Sequence, residues 1–483
     1  MTELSLQQKT SAPPGDARGR VDEENPQPKS VGQRSSQLTE GSVTYGLLSM
    51  SFPILISSVL MSINGSVNAA WIGHLLGTSA LSASINANTL LLFLSSLSGG
   101  IGIAASIAVG RAIGGNDTER AKKIAGGALA FFGATAVIIA LVGSLVAPQL
   151  LTFMGTPAAG ASLAAAYLRV AFIALPGTYL YSCIAMILRG AGDNKTPTAF
   201  LGLSVFLDVI LNPILIQGIG PLPGLGIAGS ALASSIAQWV TLFALIAWIQ
   251  GRDHLLRLHR SDFHYLWGDR GIASTLVRQG VPIGLLTIIS SSSLLAMIGL
   301  VNHFGVKYVA AYATCFQLWT YVQMPSMAVS AAVSTVAAHN IGAGRWDRVE
   351  RVAVVGSLYN VVITGALLAL ALAVDTQVFA IFLGTDTASI EIARHINHIV
   401  AWAFILFGIS FAQMAVVRAN GAVMAPLIIM AVVLWGVRIP FATFMMNQWG
   451  SDGVFWSTPI SAIVCLLLTT GHYCLSGWRK TSR

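Results

Sequence analysis

An aspartate, Asp208, lies inside the apolar stretch LSVFLDVILNPILIQ at residues 203–217, followed one helical turn later by Asn212 and then by Pro213. At i, i+4 and i+8 spacing, Ser204, Asp208 and Asn212 share one face of a helix. Pro213 has no N–H, so within a helix it leaves the carbonyl of Val209 without its partner and kinks the chain. Carboxylate, amide and freed carbonyl then offer several oxygens in a small volume. A buried carboxylate can take up a proton on one side of a barrier and release it on the other. Alternatively, a cage of oxygens can hold a dehydrated sodium ion, because hard cations prefer all-oxygen sites. A third role stays open, that of a permanently protonated structural hydrogen-bonder. Having one carboxylate in reach favours the proton over sodium. Asn64 and Asn68, also one turn apart, form a second polar pair in an apolar run.

Side chains of this kind need a scaffold, and the composition indicates which. Of 483 residues, 54% are hydrophobic and 10% charged, where soluble domains run nearer a quarter charged. Apolar runs recur along the chain, and about 20 such residues cross roughly 30 Å of hydrocarbon as a helix. Lipid gives the backbone no partners, so the runs must be helices or a closed barrel. Their length without strict alternation excludes the barrel. The expectation is an all-α polytopic membrane protein with twelve spans, near 44–70, 80–110, 124–147, 160–186, 197–217, 225–250, 279–303, 309–338, 352–374, 391–414, 424–447 and 453–476.

Residues 1–43 mix both charges with Ser, Gln and Pro and read as a disordered tail without the layout of a cleaved signal peptide. The chain then divides into an N-lobe at 44–250, an inter-lobe loop at 251–278, a C-lobe at 279–476 and a short tail at 477–483. Arg and Lys gather in the loops after even-numbered spans, while the opposite loops offer little beyond Lys307. The positive-inside rule therefore places both termini in the cytoplasm and the chain in the plasma (inner) membrane.

Several functions find no support. Cys183, Cys315, Cys465 and Cys474 make neither a disulfide framework nor a metal spacing. GRAIGG and HNIGAG lack the lysine–serine end of a P-loop and read as tight turns between helices. No His, Asp and Glu cluster suggests an integral-membrane enzyme. In so greasy a chain the net charge of +8 belongs to loops at a membrane surface, not to a nucleic-acid site.

The chain also repeats. Residues 76–120 align without a gap on 304–348, placing Gly77 on Gly305 and Gly114 on Gly342, each 228 positions apart. LRGAGDNKTP at 188–197 matches VRANGAVMAP at 417–426, with Arg189 on Arg418, Gly192 on Gly421 and Pro197 on Pro426. Six spans separate each pair, so the two lobes are parallel repeats about an axis along the membrane normal, as in secondary transporters that alternate access.

With WIGHLLGTSALSA after span 1, GRAIGGND after span 2, LRGAGDNKTP after span 4, LDVILNP in span 5, GLGIAGSALASSI in span 6 and AAHNIGAGRWDR after span 8, the chain from about 45 to 475 resembles the multidrug and toxic compound extrusion (MATE) family. The resemblance implies a monomeric antiporter that exports small, often cationic, organic compounds against proton or sodium entry, with no further cofactor. It also implies that spans 1 and 5 face each other, joining Asn64 and Asn68 to Asp208 and Asn212.

The departures from the family pattern lie in the same places. Asn68 stands where relatives carry Asp in a V-D-T pattern, LDVILNP exchanges the Asn and Asp of L-N-x-x-L-D-P, and Ser290 to Ser293 stand where some members keep a Glu. For the substrate cavity the candidates are Tyr179, Tyr181, Gln317, Trp319, Met324 and Arg438. Arg438 would repel a cation and suit an anionic or zwitterionic compound. The rival readings are a lipid-linked or polysaccharide-precursor flippase of the same superfamily and, from another class, a membrane enzyme.

Overall fold

The structure, a computed structural model, describes residues 38–153, 158–218, 223–252, 256–257, 260–267 and 269–482. The N-lobe is built from α1 (Val43–Leu76), α2 (Thr78–Gly114), α3 (Thr118–Phe153), α4 (Ala158–Gly190), α5 (Lys195–Gln217) and α6 (Ile227–Gly251). The C-lobe begins with α7 (Arg270–Val301), α8 (Val306–Gly342) and α9 (Trp346–Ala373). It continues through a short α10 (Asp375–Leu383), then α11 (Thr387–Val400) and α12 (Ala403–Ala419). It ends with α13 (Met424–Ala431), α14 (Ile439–Trp449) and α15 (Ser451–Leu475).

Counting α11 with α12 as one bent span and α13 with α14 as another, the described residues form twelve spans. Of these, α8 falls below the apolarity of a typical span. Gln, Tyr, Thr, Ser and His along it lower its hydropathy, and most of its second half is buried between other helices.

Three boundaries differ from expectation. Span 10 is bent by 43° at Ala401–Trp402, between α11 and α12. Span 11 passes through a π-helical turn at Val432–Arg438. The loop expected at 251–278 is shorter than that, because α7 begins at Arg270, capped by the Asp269 side chain on Gly271 N. Part of the loop is folded: Arg260–Trp267 forms a 3₁₀ turn on α3, where Lys122 pairs with Asp262 at 3.3 Å and the Tyr265 hydroxyl donates to Glu119 at 2.7 Å.

Most of the tail expected at 1–43 lies outside the described residues, but its last part is ordered rather than disordered. Leu38 is buried, and its carbonyl accepts from Asn340 Nδ2 at 3.1 Å; the Gly41 carbonyl accepts from Arg348 Nη2 at 2.6 Å. Both partners belong to the C-lobe, so the segment before α1 is tied to the opposite half. At the other end Trp478 is buried, its carbonyl accepting from Asn420 Nδ2 at 2.7 Å. Three of the four cysteines are buried and all are free thiols.

The repeat is legible in backbone conformation. Gly77 and Gly305 take φ of 84° and 92°, and Gly192 and Gly421 take 86° and 85°; side chains other than glycine rarely adopt such angles. The lobes meet along α1 and α2 on one side and α7 and α8 on the other. Where α2 crosses α8, a Cβ on Gly114 would strike the His339 carbonyl, and a Cβ on Gly342 would strike the Arg111 carbonyl. Arg111 and His339 are themselves repeat partners, so the crossing maps onto itself and marks the axis. Around it Leu47, Met50 and Ile107 of the N-lobe pack with Val329, Val333 and Val336 of the C-lobe. His339 Nε2 adds a 2.8 Å hydrogen bond to the Gly190 carbonyl across the seam. The lobes are thus closed at the face that carries both termini.

Adding one methyl at this crossing should part the lobes, because overpacking costs about 1–3 kcal/mol. Val336→Cys, buried in the seam, is expected to react with a thiol reagent at least about five-fold faster when Gly342 is also Ala. Equal labelling with and without Gly342→Ala would show that the seam absorbs the methyl without opening.

Candidate functional site

α1 and α5 run side by side along a ladder of polar contacts. Near the terminus-bearing end Asn194 Nδ2 donates to the Met50 carbonyl at 2.9 Å. One turn on, Thr198 Oγ1 reaches the Pro53 carbonyl at 2.9 Å and the Ser57 hydroxyl at 2.7 Å. At mid-helix the ladder reaches Asp208, which is 2% exposed, and Asn212, which is fully buried. Asn68 Nδ2 donates to Asp208 Oδ2 at 2.8 Å. Asn212 Nδ2 lies 3.0 Å from Asp208 Oδ1 and 2.9 Å from Asn68 Oδ1. The family's facing of spans 1 and 5 is present, and it brings together three of the four residues singled out for coupling.

A third helix completes the site. Ser234 Oγ on α6 donates to Asp208 Oδ1 at 2.9 Å, and one turn further Gln238 Nε2 donates to Ser204 Oγ at 3.2 Å. The antiparallel α5 and α6 match at i, i+4 spacing, Asp208 with Ser234 and Ser204 with Gln238. The sequence reading missed Ser234. Its only signal was a polar residue among the small ones of ALASSIAQ, a pattern that usually marks close helix packing.

The carboxylate therefore accepts from three helices at once: Asn68 on α1, Asn212 on α5 and Ser234 on α6. Asn64 does not join the network. Its Oδ1 is buried without a hydrogen-bond partner, as are Asn212 Oδ1 and Gln238 Oε1. α5 runs through Pro213 to Gln217; the missing N–H of Pro213 leaves the Val209 carbonyl without its helical donor, and the amide of Asn212 meets the Asp208 carbonyl at 3.2 Å.

The cavity candidates scatter. Tyr179 packs edge-on against Phe132 inside the N-lobe, and the Tyr181 hydroxyl is spent on the Pro197 carbonyl at 3.0 Å. Trp319 is 3% exposed and donates Nε1 to Asn397 Oδ1 at 2.9 Å within the C-lobe. All three are buried within their own lobes. Gln317 is exposed and Met324 and Arg438 are half-buried. Other charged groups of the C-lobe pair near its far end: Asp375 with Arg394 at 2.9 Å and His398 at 3.4 Å, and Asp452 with His395 at 2.9 Å. Among the described residues no cluster of His, Cys, Asp and Glu could hold a metal ion.

Residues 53–214 and 282–444, the same stretch of each lobe, match the family model described as MatE. The chain is 36% identical to the probable multidrug resistance protein YoeA of Bacillus subtilis, over 89% of this chain and 92% of that protein. It is 27% identical to an FAD transporter of Shewanella oneidensis, over 86% of this chain and 91% of that one. Among solved structures it superposes on the crystal structure of MATE in the bent conformation with a TM-score of 0.83 at 21% identity, covering 93% of this chain and 99% of that one. That last likeness concerns the fold.

The two asparagines of α1 should separate cleanly on substitution. Asn68→Ala leaves a buried carboxylate short of a donor and is expected to lower stability by about 1.5–3 kcal/mol. Asn64→Ala removes an unpaired oxygen and should stay within about 0.5 kcal/mol of the parent. Thermal unfolding of the two purified variants checks this, and equal losses would contradict the network as drawn.

Proposed function

This chain belongs to the MatE family of multidrug and toxic compound extrusion transporters, and from that premise we propose that it exports small organic molecules by cation antiport, with Asp208 as the residue that exchanges a coupling proton. It is a transporter and not an enzyme. The proposed lobes are 44–250 and 279–476, working as one monomeric unit.

The hydrogen-bond set of Asp208 carries this reading. The carboxylate accepts from Asn68, Asn212 and Ser234, while the neighbouring Asn212 Oδ1 is unpaired. A proton arriving on Oδ2 needs an acceptor, but it meets the Nδ2 of Asn68. Rotating the Asn68 amide by half a turn turns Oδ1 toward that proton and Nδ2 toward Asn212. A matching rotation of Asn212 brings its unpaired Oδ1 round to accept. One proton is then stored at the cost of two amide rotations and of the Asn212 hydrogen bond to Asp208 Oδ1, which keeps Ser234 as its donor, and the contacts that bind α1 to α5 are exchanged.

Sodium is the second reading, supported by the unpaired oxygens of Asn64 and Asn212, which with Asp208 would supply oxygen ligands once the amides turn. In this reading Asp208 provides the charge and Asn68 an additional ligand.

Alternating access follows from the seam. The clustering of Arg and Lys in the loops on the terminus-bearing side supports cytoplasmic termini in a plasma-membrane protein. With that orientation the closed crossing at Gly114 and Gly342 seals the cytoplasmic side, and Asp208 loads from outside. Loading reshapes the α1–α5 contact, releases the exported molecule and favours the opposite closure. The relatives are named for multidrug resistance and, in one case, for FAD, so the substrate class has to be read from this chain's own cavity.

Ethidium efflux from proteoliposomes, driven separately by proton and sodium gradients, tests the coupling. The expected result is efflux with the proton gradient alone, lost to background in Asp208→Asn while that variant remains folded. Gradient-coupled efflux that persists in Asp208→Asn refutes the role of the carboxylate.

A further inference from the structure

The C-lobe carries an arginine where the N-lobe carries its aspartate. Sequence offsets alone hide this, because the π-helical turn at Val432–Arg438 shifts the register of span 11. Backbone contacts restore it. A Cβ on Gly229 of α6 would strike the Leu215 carbonyl of α5, and a Cβ on Gly453 of α15 would strike the Met445 carbonyl of α14. Leu215 and Met445 are 230 positions apart, as are Asp208 and Arg438. Gly229 and Gly453 are 224 apart, as are Ser234 and Thr458. Ser234 donates to Asp208 at 2.9 Å, and Arg438 Nη2 donates to Thr458 Oγ1 at 2.8 Å. The same two-helix unit thus presents an anion in one lobe and a cation in the other, each on the equivalent hydroxyl.

The surroundings of the two charges differ. Asp208 is ringed by donors, whereas α7 offers Arg438 no counterpart of Asn68; at the 228 offset that position is Ala296. Among the described residues no carboxylate lies within ion-pair distance of Arg438. Its Nε is buried without a hydrogen-bond partner, and so is the hydroxyl of Tyr312 on α8. The Tyr312 ring stacks on Phe455 at 6.2 Å, and Phe455 lies one turn along α15 from Thr458, which Arg438 holds. Arg438 as a whole is half-buried, while its Nε is buried. A cation without a counter-charge beside a phenol without a partner leaves more donors than Thr458 alone can satisfy, and a π-helical turn is a frequent mark of a functional position. A planar group with two oxygens, accepting from the guanidinium fork and the phenol together, satisfies both.

We propose that Arg438 and Tyr312 form a recognition site for the carboxylate of the exported molecule, so that the chain carries organic acids and zwitterions and not cations alone. The proposal rests on the reading of the chain as an exporter. In this account the substrate's carboxylate supplies the counter-charge that the C-lobe lacks. The coupling charge of Asp208 stays in the other lobe, clear of the bound anion.

The test uses norfloxacin, which carries a carboxylate, and its methyl ester, which does not, with the full-length protein. Binding to purified protein is read by quenching of its tryptophan fluorescence, and flux is read in proteoliposomes. The native protein is expected to bind the acid at least about ten-fold tighter than the ester, as loss of one partner of a buried charge pair would dictate. In Arg438→Gln the acid-to-ester ratio should fall toward one, and Arg438→Lys should restore part of it. Tyr312→Phe, which keeps the ring, should lower the ratio by a smaller factor and serves if Arg438→Gln does not fold. No preference for the acid in the native protein, or equal loss of acid and ester in both Arg438→Gln and Tyr312→Phe, overturns the proposal. A native protein that prefers the acid in binding but shows no gradient-driven flux of either probe or of ethidium upholds the site and refutes the exporter reading instead.

Discussion

A carboxylate inside a bundle of apolar helices is tolerable only while neighbouring helices supply donors to it, and this condition organises the N-lobe. Asp208 draws Asn68 from α1, Asn212 from its own helix and Ser234 from α6, so three spans are held in register by one side chain. Any change in what Asp208 holds must be answered by all three. A proton or a cation at this point therefore acts on helix packing directly, without a relay.

The lobes share a backbone plan and differ in chemistry. Glycines at Gly77 and Gly305, and at Gly192 and Gly421, repeat their left-handed angles, and the crossing of α2 on α8 places Gly114 and Gly342 in reciprocal contacts. Gly114 and Gly342 are fixed by the close approach of backbones and the other four by their positive φ, and both conditions favour glycine. The charges are under no such constraint. Asp208 and Arg438 occupy equivalent places with opposite sign. In the proposed reading one lobe handles the coupling ion and the other meets the substrate, and a rocking motion about the shared axis moves both.

Much of this was written plainly in the sequence. Span length and composition gave the membrane bundle, and the i, i+4 spacing of Asp208 and Asn212 anticipated their hydrogen bond. Asn68 was legible because it lies one turn from Asn64 and because relatives place a carboxylate there; which of the two asparagines turns inward depended on helix rotation, which spacing alone does not give. Ser234 was hidden by its surroundings, since a serine among alanines reads as helix packing. Tyr179, Tyr181 and Trp319 were expected at a cavity from their chemistry, yet each is held inside a lobe by partners distant in sequence. The equivalence of Arg438 to Asp208 was obscured by a single π-helical turn, and the anchoring of Leu38 depended on Asn340 and Arg348, some 300 residues away.

The central claim is that the occupancy of Asp208 sets the relation of α1 to α5 and, through it, the closure of the lobes. Pulsed electron-resonance distances between spin labels on α1 and α6, and between labels on the two lobes at the terminus-bearing face, measure both at once across a pH range. The account predicts that both distributions shift together with pH in the native protein and stay fixed in Asp208→Asn. Distributions that shift equally in the native protein and the variant would contradict it.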